Sequence, residues 1–341
     1  MSGDSEKPVT LVTGATGFTG AHLVRSLTAD GESVRVIARP GTKADEKLPA
    51  GLDIVEGDVT DRVTVERAVA GAHTVYHLAA AYREAKHHDD YYARVHVDAT
   101  RLLLDAAKAR GVERFVHCST VGVHGDILSP PADEHAPYAP GDVYQRTKLE
   151  GEQLALSYND PNGLSVTVAR PTAIYGPGDT RLLKLFSMIA RRRFIVLGTG
   201  DIFYHMVHVY DLVAGLRLLG TDPRAAGEVF ILGGDRYYTL RQVAGLIAEA
   251  AGVSQSWLRL PARPFQILGT LCEKACIPFG IEPPIHRRRV DFYTKSRAFT
   301  IEKARRVLDY RPEVSLSDGI RSTLKWYRDF GYILMTVASM A

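Results

Sequence analysis

Cysteine is scarce in this chain: three among 341 residues, Cys118, Cys272 and Cys276. That is too few for a disulfide framework and fits a reducing cytosol. Cys272 and Cys276 are spaced to share one helix face, but no His or third Cys stands near them, so no metal site is expected. Long apolar runs are also missing. None approaches the ~18 residues that a membrane span needs, and the polar, charged stretch Met1–Pro8 does not read as a secretory leader. Nor does one sign of charge dominate. The 42 basic and 39 acidic residues leave a net charge of +3, too small a field to imply a nucleic-acid partner. The chain also lacks internal repeats and low-complexity stretches. A cytoplasmic protein is the expectation.

At 45% hydrophobic residues, the chain can bury a full core as one large domain or two closely joined ones. Two segments are conspicuously apolar: Pro264–Ile281, with Phe265, Ile267, Leu268, Leu271 and Ile277, and the uncharged tail Tyr332–Ala341. Helices packed on the core are the expectation for both. The alternatives are peripheral contact with a membrane or the lining of an apolar substrate cleft.

Short apolar runs and helical patterns alternate along the first half. Strands are expected at Val9–Thr13, Val34–Ala38, Ile54–Glu56, Val75–Leu78, Phe115–Cys118 and Ser165–Ala169. Helices are expected at Ala21–Leu27, Val63–Ala70, Val95–Arg110 and Tyr144–Ser157. This alternation implies right-handed βαβ crossovers and a mostly parallel sheet, a doubly wound α/β fold. Beyond Ile174 the pattern becomes irregular, with prolines at 177, 261, 264, 278, 283 and 284. The expected division is a nucleotide-binding domain over 8–173 plus about 205–233, a substrate domain over about 174–204 and 234–330, and the tail 331–341. In this division Val207–Leu219 and Val229–Leu232 return to the sheet.

The turn Gly14-Ala-Thr16-Gly17-Phe18-Thr19-Gly20 directly follows the first strand and opens the first helix. Glycines there let the backbone turn sharply and approach a pyrophosphate, which rests on the positive end of the helix. The second strand ends Ile37-Ala38-Arg39. An acidic residue at its tip would accept from the adenosine ribose hydroxyls, but Ala38 stands there, and Arg39 can pair with a 2′-phosphate. NADP(H) is therefore the expected cofactor, with NAD(H) the alternative. In Gly57-Asp58-Val59, Asp58 is placed to accept from the adenine amino group, unless it is a solvated turn residue.

Tyr144 and Lys148 are four residues apart, so a helix presents them on one face. Tyrosine is a poor base at neutral pH, but a neighbouring ammonium stabilises its phenolate. Lys148 is also placed to hold the nicotinamide ribose. Such spacing alone is common. Its weight comes from Ser119-Thr120 at the end of the Phe115–Cys118 strand, Gly57-Asp58, His77-Leu78-Ala79-Ala80 and Arg170-Pro171-Thr172-Ala173-Ile-Tyr-Gly-Pro177.

With these motifs the chain resembles the extended, or atypical, short-chain dehydrogenase/reductase family over almost its whole length. The resemblance implies a nicotinamide-dependent Rossmann enzyme in which Tyr144 and Lys148 transfer the proton and Thr120 orients the substrate oxygen, with Ser119 as its substitute. It also implies that Leu78, Ala79 and Ala80 run beneath the nicotinamide half of the cofactor, and that Pro171, Thr172 and Ala173 flank the nicotinamide. His96 departs from the pattern, standing where family members often carry a bracing asparagine. A satisfied core histidine is expected there, with a proton relay as the alternative.

Sugar-nucleotide members of the family usually have Asn where Ala173 stands, and an arginine near the position of Tyr204. Losing both removes groups that a buried diphosphate needs. Arg181, Arg191–Arg193 or Arg287–Arg289 could replace that charge. The remaining pattern is closer to the hydroxysteroid, sterol-carboxylate and dihydroflavonol branch. The expected substrate is thus a small, largely apolar alcohol or ketone, with a nucleotide sugar as the rival. By analogy with the family, a homodimer is expected.

Overall fold

The computed structural model describes residues 8–81, 89–255, 257–276 and 294–333. Six parallel strands follow one another: β1 (Val9–Thr13), β2 (Ser33–Ala38), β3 (Asp53–Glu56), β4 (Ala72–His77), β5 (Arg114–Cys118) and β6 (Ser165–Pro171). Val229–Leu232 joins beside β6, and the seven-stranded sheet runs Val229–Leu232, β6, β5, β4, β1, β2, β3. Leu11, Val12, Val75, Val166 and Val168 are wholly buried, so the sheet is covered on both faces. That is why its strands read as short apolar runs rather than as alternation. This is a doubly wound, Rossmann-like fold. The strand order reverses between β1 and β4, and the crevice beyond their carboxyl ends is where such a sheet takes a ligand.

Several elements differ from expectation. The fourth strand begins at Ala72 and ends at His77, so Leu78 already belongs to the turn, its N–H bonded to the Thr13 carbonyl. The helix expected from Val95 begins at Asp89 and carries a π-turn, Arg94–Asp98, before continuing as Ala99–Ala109. Of the two later segments, only Val229–Leu232 returns to the main sheet. Pro171 has no N–H to extend the ladder, and the chain leaves the sheet there. Ala173–Tyr175 then pairs in parallel with Met206–His208 as a separate two-stranded sheet. Val209–Thr221 is a helix laid on α1 (Phe18–Ala29), where Arg217 bonds Ser26 at 2.9 Å and Asp30 at 2.5 Å.

A second apolar cluster joins the helices Leu183–Ala190, Leu240–Ala251 and Leu316–Asp329 through Phe186, Ile189, Val243, Ile247, Ile320 and Leu324. Each helix contributes residues three or four apart, an amphipathic stripe that must be covered to be stable. The segment leading into the helix Leu316–Asp329 ties this cluster to the sheet: Tyr310 donates to the Gly233 carbonyl at 3.0 Å, and Asp211 accepts from the Glu313 N–H at 2.9 Å.

The helix Ala262–Cys276 corrects an expectation, because Ile267, Leu268 and Leu271 are exposed rather than packed on the core. No helix among the described residues is long and apolar enough to cross a membrane. In the tail, Tyr332 is exposed and Ile333 buried. Ile277, Arg287–Arg289 and the tail beyond Ile333 lie outside the described residues.

Candidate active site

At the crevice, β1 gives way to Gly14 with a φ of +71°, and a Cβ there would lie 2.7 Å from the Ala79 N of the turn after β4. Only glycine allows the two turns to meet so closely. Gly17 then caps α1 without a side-chain bond, and no acidic residue occupies the helix's first turn. The positive end of α1 therefore opens unneutralised onto the crevice, an arrangement that receives phosphate.

One cavity of about 670 Å³ runs from this turn across the carboxyl ends of the strands. Gly14, Thr16, Gly17, Phe18, Thr19 and Gly20 line it after β1, Arg39 after β2, and Asp58 and Val59 after β3. Leu78, Ala79 and Ala80 contribute after β4, Ser119 and Thr120 after β5, and Pro171, Thr172 and Ala173 at and after the end of β6, with Tyr144 and Lys148 between. Asp58 is partly engaged, since its Oδ1 accepts from Thr60 N at 2.9 Å and Thr60 Oγ1 at 2.8 Å.

Tyr144 and Lys148 sit on the helix Val143–Ser157, whose start is fixed reciprocally. Asp142 accepts from Gln145 N at 2.8 Å, and the Gln145 side chain accepts from Gly141 N at 2.6 Å. Lys148 is buried and donates to the Cys118 carbonyl at 2.5 Å. Burial draws its ammonium below the ordinary lysine value, against the opposing pull of Cys118 and Glu152. Tyr144 is half-buried against Ala81, Tyr92 and Val95, edge-on to His96 at 5.3 Å.

The neighbouring hydroxyls differ sharply. Ser119 donates to Glu152 at 2.5 Å, and Glu152 is in turn ion-paired with Arg170, both fully buried. Arg170 also donates to the Glu134 carbonyl at 2.8 Å and to Tyr138 Oη at 2.7 Å. Thr120 instead accepts from Gly122 N at 3.0 Å, which leaves its hydroxyl hydrogen to be donated into the cavity. Of the two, Thr120 is the one whose donor remains available.

His96 is not a relay. Its Nε2 accepts from Ala81 N at 3.0 Å, so Nδ1 carries the proton and pairs with Thr147 Oγ1 at 2.8 Å, engaging both ring nitrogens. Burial, then the charge of Lys148, hold its pKa down at about 2. The ring thus clamps the turn after β4 to the helix carrying Tyr144 and Lys148. Beneath it His77 bridges Thr13 at 2.8 Å and Thr100 at 2.9 Å, held near a pKa of 3 by burial and then Lys148. Thr100 donates on to the His96 carbonyl at 2.8 Å.

The structure adds residues that sequence reasoning missed. Thr42 and Lys47 line the cavity near Arg39, and Ile174 and Arg297 line it with Ala173, beside the Arg181 that the sequence offered as a charge. A second lysine soon after Arg39 was a readable signal. Arg297 offered none, because it comes from a segment far along the chain that is bridged to Tyr204.

Residues 10–233 match the model of the NAD dependent epimerase/dehydratase family. The chain is 31% identical over 340 residues to a 3 beta-hydroxysteroid dehydrogenase/Delta 5-->4-isomerase of Mycobacterium tuberculosis, covering 93% of this chain and 90% of the relative. It is equally, 31%, identical over 335 residues to a dTDP-glucose 4,6-dehydratase of Streptomyces antibioticus, covering 94% and 92%. The crystal structure of gox2253 superposes with a TM-score of 0.81 at 28% identity, over 96% of this chain and 99% of that one. The chain belongs to the NAD-dependent epimerase/dehydratase family and is an enzyme of the extended short-chain dehydrogenase/reductase type.

Proposed function

We propose that this enzyme moves hydride between NAD(P) and a secondary alcohol or ketone of a largely apolar substrate, of the 3β-hydroxysteroid or sterol-4-carboxylate kind. The observation that carries this reading is the convergence of Tyr144, Lys148 and the free donor of Thr120 on one cavity. A nicotinamide dinucleotide fits the residues present: the uncapped end of α1 and the close turn at Gly14 receive its pyrophosphate, and Lys148 its ribose. When bound, it supplies the hydride acceptor or donor. Arg39, exposed, and Lys47 at the adenosine end favour NADP(H).

In the oxidative direction Thr120 donates to the substrate oxygen and fixes its place. The Tyr144 phenolate takes the hydroxyl proton, and the ammonium of Lys148 stabilises that phenolate. Ala173, Ile174 and Val95 make the wall apolar. Residues 8–173 and 205–233 carry the cofactor in this reading, and 174–204 with 234–330 the substrate.

Replacing Tyr144 by Phe should leave NADP⁺ binding nearly intact while turnover falls by about 10²- to 10⁴-fold; undiminished turnover would sink the reading. The equal likeness to a sugar-nucleotide dehydratase supports a second reading, an NDP-sugar epimerase or dehydratase. Stoichiometric nicotinamide in the purified protein, together with stabilisation by dTDP- or UDP-sugars, would favour it.

A further inference from the structure

Five cations line the cavity: Arg39, Lys47, Lys148, Arg181 and Arg297. Lys148 serves Tyr144 and the Cys118 carbonyl. Arg181 is fully engaged, donating to Asp179 at 2.6 Å and to the Ile174 carbonyl at 2.9 Å while lying over the Phe18 ring at 5.1 Å. Arg39 and Lys47 stand at the opposite, adenosine end, after β2. Arg297 remains. It is half-buried, and its guanidinium has no carboxylate, carbonyl or ring partner among the described residues.

Its backbone is held from both sides. Arg297 N donates to the Phe203 carbonyl at 2.8 Å, and His205 N donates to the Arg297 carbonyl at 3.0 Å. Ala298 and Phe299, the next residues, are buried. A guanidinium cannot relieve partial burial by losing its proton. On a fixed backbone, beside the apolar Ala173 and Ile174, it is prepared for a ligand that brings a charge of opposite sign. The cavity's own carboxylate, Asp58, follows β3, at the far edge of the sheet.

We propose that Arg297 recognises an oxyanion on the substrate, binding it through the two-pronged pairing that a guanidinium offers to carboxylate or phosphate. The inference rests on the oxidoreductase reading only for the identity of the site as the substrate end. The oxyanion has two sources: the carboxylate of a hydroxysteroid acid, or the diphosphate of a nucleotide sugar. The apolar wall favours the first.

The test uses the full chain saturated with NADP⁺. Binding is titrated calorimetrically, and turnover measured, with a 3β-hydroxysteroid-4-carboxylate, its methyl ester and dTDP-glucose, for the wild type, Arg297→Gln and Arg297→Lys. The wild type should prefer the free acid over the ester by about 10- to 100-fold, the worth of a charge-assisted pair. That ratio should collapse toward one in Arg297→Gln and recover in part in Arg297→Lys, with unchanged melting temperatures. If dTDP-glucose binds instead, and loses a similar factor in Arg297→Gln, the oxyanion is a phosphate and the inference stands while the steroid reading falls. Acid bound through Arg297 but never oxidised separates them in the same way. Equal losses for acid and ester, no preference in the wild type, or binding of neither anion overturns the inference even where a neutral hydroxysteroid is turned over.

Discussion

The floor of the cavity and the end proposed to take the substrate are built on opposite principles. Beneath Tyr144 and Lys148, polar groups answer one another in two series, Thr13, His77, Thr100, His96 and Thr147 in the first and Ser119, Glu152 and Arg170 in the second, while the buried His117 beside His77 keeps both ring nitrogens without a hydrogen bond. At the end lined by Ala173 and Ile174, Arg297 has a fixed backbone and, among the described residues, an unanswered side chain. A floor of satisfied bonds holds the reacting groups in one geometry. An unanswered wall leaves selectivity to the molecule that arrives.

Changes to the floor should therefore cost stability, and changes facing the cavity should cost rate. Glu152→Gln is expected to have the largest effect, because it strands the wholly buried Arg170. Breaking such a pair costs about 3–5 kcal/mol, read from urea unfolding; a loss under about 1 kcal/mol would show that the network relaxes freely. Thr120 and Ser119 are adjacent but should part company. Thr120→Ala should lower kcat by about 10²- to 10³-fold, as loss of a donor to a reacting oxygen does, with a stability loss of about 1 kcal/mol from the uncapped Gly122 N–H. Ser119→Ala should cost a similar stability of about 1 kcal/mol but leave turnover within a few-fold of wild type. Equal kinetic losses would erase the distinction drawn from their hydrogen bonds.

At the adenosine end, Arg39→Asp should reduce the NADP⁺ over NAD⁺ preference in kcat/KM by about 10- to 100-fold. An unchanged ratio would show that Arg39 only faces adenine. The smallest effect concerns protons. His77 and His96 have folded pKa values near 3 and 2, below the ordinary 6.5. Their contribution to stability is complete above pH 6.5 and is lost as pH falls toward those values, because the unfolded chain takes up the protons first. His96→Asn, which removes the titrating ring, should remove one proton from that uptake. The stability lost between pH 6.5 and 5.5 should shrink by about 1 kcal/mol; an identical acid slope would contradict the buried neutral state.

The two regions were unequally legible in sequence for the same physical reason. The floor is set by local spacing. Three glycines at one strand end and two side chains four residues apart on a helix are visible without any fold. Thr120 could be ranked above Ser119, but the Glu152 bond that explains the ranking joins residues distant in the chain. His96 could be read as buried, yet its partners Ala81 and Thr147 appear only when two crossovers are packed together. Arg297 arrives by a strand bridge to Tyr204, which no periodicity announces. The exposed apolar side chains of Ala262–Cys276 mislead in the opposite sense, since amphipathic spacing records that a face is apolar and not what it meets.

The π-turn at Arg94–Asp98 adds one residue to a helix that is otherwise α-helical. His96 lies within it, and its carbonyl comes so close to the helix carrying Tyr144 and Lys148 that a Cβ on Gly151 would stand 2.2 Å away. Excising one codon of this stretch other than that of His96 would let the helix become regular and turn His96 by about 100° about the axis. The clamp on Ala81 and Thr147 would then open with Thr120, Tyr144 and Lys148 still encoded. In a library of single-residue deletions, this short exposed-to-buried stretch should stand out as a silent lesion: intact motifs, an inactive enzyme.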